Sequence, residues 1–267
     1  MSDWLIGLVG SGAIAGLAYW KRSLSGSGAL AAMVVGTVLY SLGNAAWFGT
    51  LIAFFITSSL LSKWKQKQKA AVESGYEKTG RRDAGQVFAN GGLGVLLCLL
   101  NHVAPHPAWW LAFVGVMATV TADTWATEIG GLSKRPPRSI LTGKIVPTGT
   151  SGGVSTAGLA ATACGGLFIG CIAWVLSLPE NSEGMILLAV TGLVAGTIGS
   201  LADSFLGAKW QVLHRCSVCE KELEARVHCG KPTLYARGWR WLNNDRVNLI
   251  ASVIGGLAAI GMKSLLL

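Results

Sequence analysis

Eight apolar stretches, each close to the length that crosses a lipid bilayer, constrain this chain more than any other feature. A helix of about twenty residues spans the hydrocarbon core of a bilayer. The chain is 51% hydrophobic and 13% charged, with 36 glycines in 267 residues, which is too apolar for an ordinary soluble domain. We therefore expect an all-α, polytopic membrane bundle of about eight helices, forming one transmembrane domain over residues 1–267. The expected crossings are 4–20, 28–42, 45–61, 86–103, 108–129, 152–178, 184–208 and 247–266.

The positions of the basic residues predict how the chain is oriented. Loops 21–27, 62–85, 130–151 and 209–246 contain 21 of the 22 lysines and arginines, and only Lys263 falls on the other side. Cytoplasmic loops of membrane proteins carry such an excess of positive charge. We therefore expect both termini outside. The start, Met1-Ser2-Asp3, has no basic n-region, so we expect no cleaved signal peptide, and the absence of a transit peptide suits a prokaryotic plasma membrane. The net charge of +9 then reflects this asymmetry and does not indicate nucleic-acid binding.

Loop lengths point to the same face. The outer connections at 43–44, 104–107 and 179–183 are short, whereas three inner loops exceed twenty residues. Long loops carry a disproportionate share of functional residues. We therefore expect the functional site at the cytoplasmic face of the membrane.

Three carboxylates near the inner helix ends are candidate metal ligands. Asp123 and Glu128 lie in the fifth segment, and Asp203 lies at a matching depth in the seventh, where Ala202-Asp203-Ser204-Phe205 echoes Ala122-Asp123-Thr124-Trp125. An ionised carboxylate in lipid costs about 2.5–3.5 kcal/mol, so a group of three needs a cation or a wet cavity. Carboxylate and hydroxyl oxygens suit Mg²⁺, and Ser204 offers a hydroxyl. The alternative is that each acid is a buried, hydrogen-bonded structural group.

Two small-residue or basic segments could hold phosphate. Backbone N–H groups at the start of a helix bind anions, and glycines let them approach closely. Basic side chains or an amide accompany both segments, although close helix packing and charge anchoring would explain the same residues. No Walker A spacing occurs, which argues against a P-loop ATPase. The candidates are Lys144, Gly149, Thr150, Ser151, Gly152 and Gly153 before the sixth segment, and Arg81, Arg82, Asp83 and Asn90 around the start of the fourth.

Lys63, Lys65, Lys67 and Lys69 are interpreted differently. This run of alternating lysines follows the third apolar segment. Lysines near a membrane face are usually solvated or bound to lipid headgroups. We expect this role for all four.

The loop 209–246 contains two further groups. Cys216, Cys219, His228 and Cys229 could bind structural Zn²⁺, with free thiols as the alternative, and the adjacent His228 and Cys229 raise the question of whether both reach one ion. Tryptophans 239 and 241 fit an interfacial belt. Helix capping explains one or two residues of the amide and carboxylate group that follows, but not all of them. That group is Asn243, Asn244, Asp245 and Asn248.

Long motifs across nearly the whole chain resemble one family of integral membrane proteins, which contains animal transmembrane protein nineteen and the plant phytyl-phosphate kinase of tocopherol synthesis. The motifs are Gly80-Arg81-Arg82-Asp83-Ala84-Gly85-Gln86-Val87 with Asn90-Gly91-Gly92, residues 122–130, residues 149–158, Asp203-Ser204 and Asn243-Asn244-Asp245. The resemblance implies a kinase that converts an isoprenyl monophosphate, such as phytyl or geranylgeranyl phosphate, into its diphosphate. The implied phosphate donor is CTP or another nucleoside triphosphate.

The residue pattern fits the chemistry that the resemblance implies. Phosphoryl transfer needs a metal, in-line positioning and cationic or N–H contacts, with little covalent work by the protein. We assign Asp123, Glu128 and Asp203 to Mg²⁺, directly or through water, and the two phosphate-holding segments to donor and acceptor. We expect Asp83 to orient a basic residue. The polar site is completed by Asn90, Asn243, Asn244, Asp245 and Asn248. Two alternatives remain open: cytidylyl transfer giving a CDP-lipid, and transport of a cation or metabolite, although transporter sites lie near the midplane.

Overall fold

The computed structural model describes residues 2–78, 80–178 and 184–266, with side chains as far as Met262. The 179–183 connection and the side chain of Lys263, for which the sequence gives expectations, fall outside this description. Within them, a long helix occupies each of the eight predicted positions. These are α1 (Ser2–Trp20), α2 (Gly26–Val38), α3 (Ala45–Lys63), α5 (Ala84–Val103), α6 (Pro107–Gly130), α7 (Thr156–Ser177), α8 (Met185–Lys209) and α9 (Asn244–Leu266), with a short α4 (Gln66–Glu73) after α3.

Six stretches in the described part of the chain are long and apolar enough to cross a membrane. They are Gly26–Gly43, Ala45–Lys63, Ala84–Val103, Thr156–Ser177, Met185–Lys209 and Asn244–Met262. Helices α1 and α6 are of comparable length but lie outside this set. The membrane-helical class is therefore confirmed, while the count of eight crossings and the outward position of the termini stay predictions.

Helix α6 forms the centre of the bundle. Its residues 111–122 are buried without interruption, so every face of this stretch contacts protein. Helices α3, α5, α7, α8 and α9 pack around it. Residues 111–122 therefore have no lipid-facing side, and the polar residues of the last two turns follow directly after this buried stretch.

Side-chain caps set several helix starts at the end of the bundle where the long loops lie. Asp83 accepts a hydrogen bond from Gln86 N–H at 2.9 Å, and the Gln86 side chain accepts one from Asp83 N–H, so a capping box begins α5. Ser155 accepts from Gly158 N–H at 3.1 Å and begins α7. The predicted start of α7 at 152 is therefore wrong by four residues.

The other difference lies around α2 and in the loops. Helix α2 ends at Val38 and continues as a π-helical turn, Leu39–Gly43, before Asn44 caps α3. The loops contain short antiparallel strands: β1 (Arg138–Ser139) pairs with β2 (Gly153–Val154), β3 (Leu213–Arg215) pairs with β4 (Glu222–Leu223) and β7 (Leu234–Arg237), and β5 (Val227–His228) pairs with β6 (Lys231–Pro232). These strands leave the helical class unchanged.

Candidate functional site

The four inner loops and the adjoining helix ends enclose one large polar cavity. Its volume is about 850 Å³, within the size range of small-molecule sites. Residues from α3 to α9 line it, together with the turn after α1, the segment between α4 and α5, the loop before α7 and the loop before α9. Segments separated by two hundred residues in the sequence therefore meet here.

Close packing of α6 against α8 brings Asp123 and Asp203 to the same cavity. A Cβ atom on Gly199 would lie 2.2 Å from Thr119 Oγ1, so the two helices touch at this point and no larger residue fits. Residues four apart lie on the same helix face, so Asp123 and Asp203 follow Thr119 and Gly199 by one turn each. Both aspartates line the cavity.

The environment of Asp203 fits a bound cation. Its Oδ2 atom is buried and has no hydrogen-bond partner among residues 2–78, 80–178 and 184–266. The same holds for Oδ1 of Asn248, which also lines the cavity. Buried oxygen atoms are normally paired, and two unpaired acceptors in one cavity suit a hard cation with oxygen ligands. Magnesium typically takes one or two carboxylates and completes its shell with phosphate oxygens and water.

Glu128 has a different environment from the two aspartates. It forms an ion pair with Lys69, and Ser62 donates a hydrogen bond to it. Lys69 is only 3% exposed and also donates to the carbonyl oxygens of Leu61 and Ser62, at 2.8 and 3.1 Å. The interpretation of Lys69 as a solvated or headgroup-binding lysine is therefore wrong. Because Lys69 already neutralises Glu128, Asp123 and Asp203 are the better suited metal ligands.

A second ion-pair network closes the cavity near α5 and α9. Lys78 pairs with Asp245 and with Asp83, whose Oδ2 lies 3.1 Å from the ammonium group. Burial acts to lower the pKa of Lys78, but its hydrogen bonds to both aspartates raise it overall. Burial likewise acts to raise the pKa of Asp83, but the Gln86 N–H and Lys78 hold it below its ordinary value. The basic partner expected for Asp83 is therefore Lys78.

Arg82 connects the polar cavity to an apolar cleft. Its Nη1 donates to Ser59 Oγ at 3.0 Å, and none of the ion pairs found within the described ranges involves its guanidinium. Burial lowers its pKa, and Glu128 acts in the opposite direction. Arg82, Gln86 and Asn90 line the cavity and also the cleft, which runs between α1, α2, α3 and α5. An anionic group could thus contact Arg82 while an attached apolar chain enters the cleft.

The loop before α7 contributes backbone to the cavity wall. Gly149 and Gly152 adopt positive φ angles of 86° and 75°, which favour glycine. A Cβ on Gly152 would lie 2.3 Å from the Cβ of Ala208, so the loop packs directly against α8. Residues 149–153 therefore line the cavity as a turn and a short strand, and not as the first turn of α7.

Most of the predicted site residues line this cavity, and a few do not. Arg81 and Lys144 are exposed outside it, and Asn243 instead caps α9 by accepting from Arg246 N–H at 3.3 Å. Asp83 reaches it only through Lys78. Those that line it are Arg82, Asn90, Asp123, Glu128, Gly149, Thr150, Ser151, Gly152, Gly153, Asp203, Ser204, Asn244, Asp245 and Asn248.

The sequence analysis missed Glu224, which reaches the cavity from the loop between α8 and α9. Its Oε1 accepts a hydrogen bond from Gln211 Nε2 at 2.8 Å, and Glu77 N–H lies 3.5 Å from Oε2. Burial raises the pKa of Glu224, while the Gln211 amide and the Glu77 N–H act to lower it. In the sequence it is one of several charges in a polar loop, so no local pattern singles it out.

Cys216, Cys219, His228 and Cys229 come together at the tip of the same loop. Their ligand atoms all lie within 4.8 Å of one another, and this is the only such group of three or more potential ligands within the described ranges. Hydrogen bonds from the backbone of Cys219 and Val218 lower the pKa of Cys216 to about 6. Cys229 has a positive φ of 51° in the turn between β5 and β6, which lets neighbouring residues face one point. His228 Nδ1 and Cys229 Sγ accordingly lie 3.3 Å apart, although the two residues are adjacent in the sequence.

These features define a polytopic helical membrane protein whose helix ends and loops enclose a cavity lined by acidic and basic side chains, next to an apolar cleft. Comparison with known families gives the same class. The chain belongs to the family described as integral membrane protein DUF92, whose model matches residues 9–256. The family resemblance seen in the sequence motifs is confirmed.

Three relatives illustrate the range of the family. Protein PGR of Arabidopsis thaliana is 31% identical, with 91% of this chain and 90% of the plant protein covered. VTE6, a chloroplastic protein of the same plant, is 29% identical, with 91% and 66% covered. The uncharacterized membrane protein MJ0933 of Methanocaldococcus jannaschii is 28% identical, with 90% and 86% covered. No solved structure matches the chain.

Proposed function

We propose that this protein is a membrane kinase that transfers a phosphoryl group from a nucleoside triphosphate, such as CTP, to a prenyl monophosphate. The observation that carries the proposal is the junction of the polar cavity with the apolar cleft at Arg82, Gln86 and Asn90. A phosphorylated isoprenoid has one charged end and one apolar end, as this junction requires. The resemblance to the family of the plant phytyl-phosphate kinase supports the same activity, and the 29% identity with VTE6 points in that direction.

The cleft sets where the lipid begins. Its volume is about 50 Å³, room for roughly four water-sized groups, so it holds the first carbons of the chain. Each buried methylene contributes about 0.8 kcal/mol, so the rest of a long chain stays in the bilayer. The monophosphate is thereby held at the cavity wall beside Arg82.

The residues of the cavity then position the two phosphates. Asp123 and Asp203 would hold Mg²⁺, which supplies positive charge to the phosphate oxygens when bound. Arg82 contacts the acceptor monophosphate, and the backbone of residues 149–153 contacts the donor. The acceptor phosphate is already ionised at neutral pH, so no general base is needed. Its oxygen forms a bond to the terminal phosphorus of the donor, the anhydride bond of the donor breaks, and the nucleoside diphosphate leaves.

We also propose that the cavity opens to the cytoplasm, where nucleoside triphosphates are present. The support is the concentration of 21 of the 22 basic residues in the loops that contribute to it. Lys134→Cys places a cysteine in an exposed loop. In inside-out vesicles, a membrane-impermeant maleimide should label this variant more than the parent chain, and in right-side-out vesicles the two should be labelled equally. Labelling of this variant in right-side-out vesicles instead would reverse the proposed orientation.

The activity is tested with purified protein, geranylgeranyl or phytyl phosphate, Mg²⁺ and labelled CTP. Prenyl diphosphate and CDP should form. Pyrophosphate and a CDP-lipid would indicate a cytidylyltransferase, and flux into vesicles without nucleotide consumption would indicate a transporter. A matrix of nucleotides against chain lengths then identifies the preferred pair.

The metal assignment is tested in the same assay. Asp123→Asn and Asp203→Asn should each lower the rate by more than about a hundredfold, because a metal ligand contributes at least as much as its supporting residues. Asp3→Asn, which changes an exposed aspartate in the first turn of α1, is the matched control. Full activity of both cavity variants would show that the assignment is wrong.

A further inference from the structure

The loop between α8 and α9 is too small to hold its shape by apolar packing. It contains five short strands, and the hydrophobic cluster formed within it consists of Cys216, Leu223 and Ala225. Domains with so little apolar burial usually need a disulfide or a metal ion to be stable. The six cysteines of the chain are all unpaired. Because no disulfide is present, a metal ion is the crosslink that would stabilise this loop.

The four ligand atoms lie within 4.8 Å of one another, and the distances from His228 to two of the thiols match tetrahedral zinc. Bonds of about 2.3 Å to sulfur and 2.0–2.1 Å to nitrogen place a sulfur and a nitrogen ligand about 3.6 Å apart around one ion. His228 Nδ1 lies 3.5 Å from Cys219 Sγ and 3.3 Å from Cys229 Sγ. Four ligands, three of them thiols, form a closed site with no open position, which is typical of structural and not catalytic zinc.

The β3–β4 strand pair links these four residues to Glu224, which lines the cavity. Cys216 directly follows β3, which pairs with β4, and β4 ends at Leu223, next to Glu224. The N–H groups of Glu224 and Ala225 both donate to the carbonyl oxygen of Gly75, at 2.9 and 3.1 Å. The position of the β3–β4 pair therefore decides whether the Glu224 carboxylate reaches the cavity.

We propose that Cys216, Cys219, His228 and Cys229 bind one structural Zn²⁺, and that this ion fixes the strand pair that presents Glu224 to the cavity. The four ligands are positioning residues. This proposal does not depend on the kinase activity, because it concerns metal content and the position of a loop.

The metal is tested on full-length, tag-free protein produced with zinc in excess. Elemental analysis should find about one zinc per chain, falling below about a tenth in Cys216→Ser/Cys219→Ser. Cys164→Ser/Cys171→Ser, which changes the two cysteines of α7, is the matched control and should keep its zinc. Protein without zinc, or a double ligand variant that keeps it, would overturn the proposal.

Cobalt substitution covers the case in which the double ligand variant fails to accumulate. Tetrahedral Co²⁺ bound by thiolates gives intense visible and charge-transfer absorption in the otherwise unchanged chain. This spectrum should appear with about one Co²⁺ per chain. A cobalt-treated protein without thiolate charge-transfer bands would overturn the proposal.

The effect on Glu224 is tested by an engineered crosslink beside it. A Cβ on Gly75 would lie 3.6 Å from the Cβ of Leu223, a separation that suits a disulfide. Gly75→Cys/Leu223→Cys should crosslink nearly completely under mild oxidation in the zinc-loaded chain. The yield should fall to about a tenth when the Cys216→Ser/Cys219→Ser changes are added. Equal yields with and without the ligands would show that zinc does not position this strand pair.

Discussion

The buried ion pair between Lys69 and Glu128 predicts a large loss of stability when Lys69 is replaced by Met. The methionine fills a similar volume but leaves Glu128 without its cation and removes the donors to the carbonyl oxygens of Leu61 and Ser62. Breaking a buried pair by removing one partner costs about 3–5 kcal/mol, mainly because the remaining charge is uncompensated. The lower figure corresponds to roughly a hundredfold change in the unfolding equilibrium constant.

The loss is measured by chemical unfolding in mild detergent, followed by tryptophan fluorescence. Lys67→Met, in the same short helix, is the matched control, because Lys67 is exposed and should change stability by less than about 0.5 kcal/mol. The double variant Lys69→Met/Glu128→Gln should recover part of the loss, since no unpaired charge remains. If Lys69→Met and Lys67→Met had the same free energy of unfolding, the buried ion pair would not contribute measurably to stability.

Three other changes test the cavity and the cleft. Gly199→Ala should lower activity by about a hundredfold, because its Cβ would lie 2.2 Å from Thr119 Oγ1 and force apart the helices that carry Asp123 and Asp203. Gly16→Ala is the control: a Cβ there has no atom within 4 Å, so activity should not change. Burial raises the pKa of Glu224, so if the ionised form is needed, activity should fall as the pH drops through that raised pKa. Glu224→Gln should remove this acidic limb of the pH–activity profile. A pH–activity profile that is the same in Glu224→Gln and the parent chain would contradict a role for the ionised form. Ala32→Phe should fill the cleft and raise KM for the prenyl phosphate about tenfold, while KM for the nucleotide stays unchanged. A proportional rise in both KM values would argue against a lipid-binding cleft.

The four lysines from the last residue of α3 to Lys69 show the limit of inference from local sequence. All four occur at alternate positions, and nothing in the pattern distinguishes Lys69 from Lys67. Only the packing of α4 against the end of α6 places Lys69 beside Glu128. An ion pair between residues 59 positions apart depends on how helices meet, and single-residue patterns contain no information about that.

Glu224 and Lys78 were missed for the same reason. Each lies in a polar loop where charged residues are expected on solvent grounds alone. Lys78 gains its importance from Asp245, and Glu224 from Gln211 and the turn at Gly75. Both become visible only when the loops before α5 and α9 are seen to close over one cavity.

The sequence by itself determined the positions of the helices, because apolar segments of bilayer length and their polar interruptions are local properties. It also identified Asp123 and Asp203 as polar groups that need a reason to be in helices, and the cysteine and histidine group as candidate ligands. The tertiary structure decided which charges neutralise one another, where the apolar cleft joins the cavity, and that Gly199 lets α8 touch α6. These depend on contacts between distant segments, whose geometry is set by close packing of small residues and not by the periodicity of any one helix.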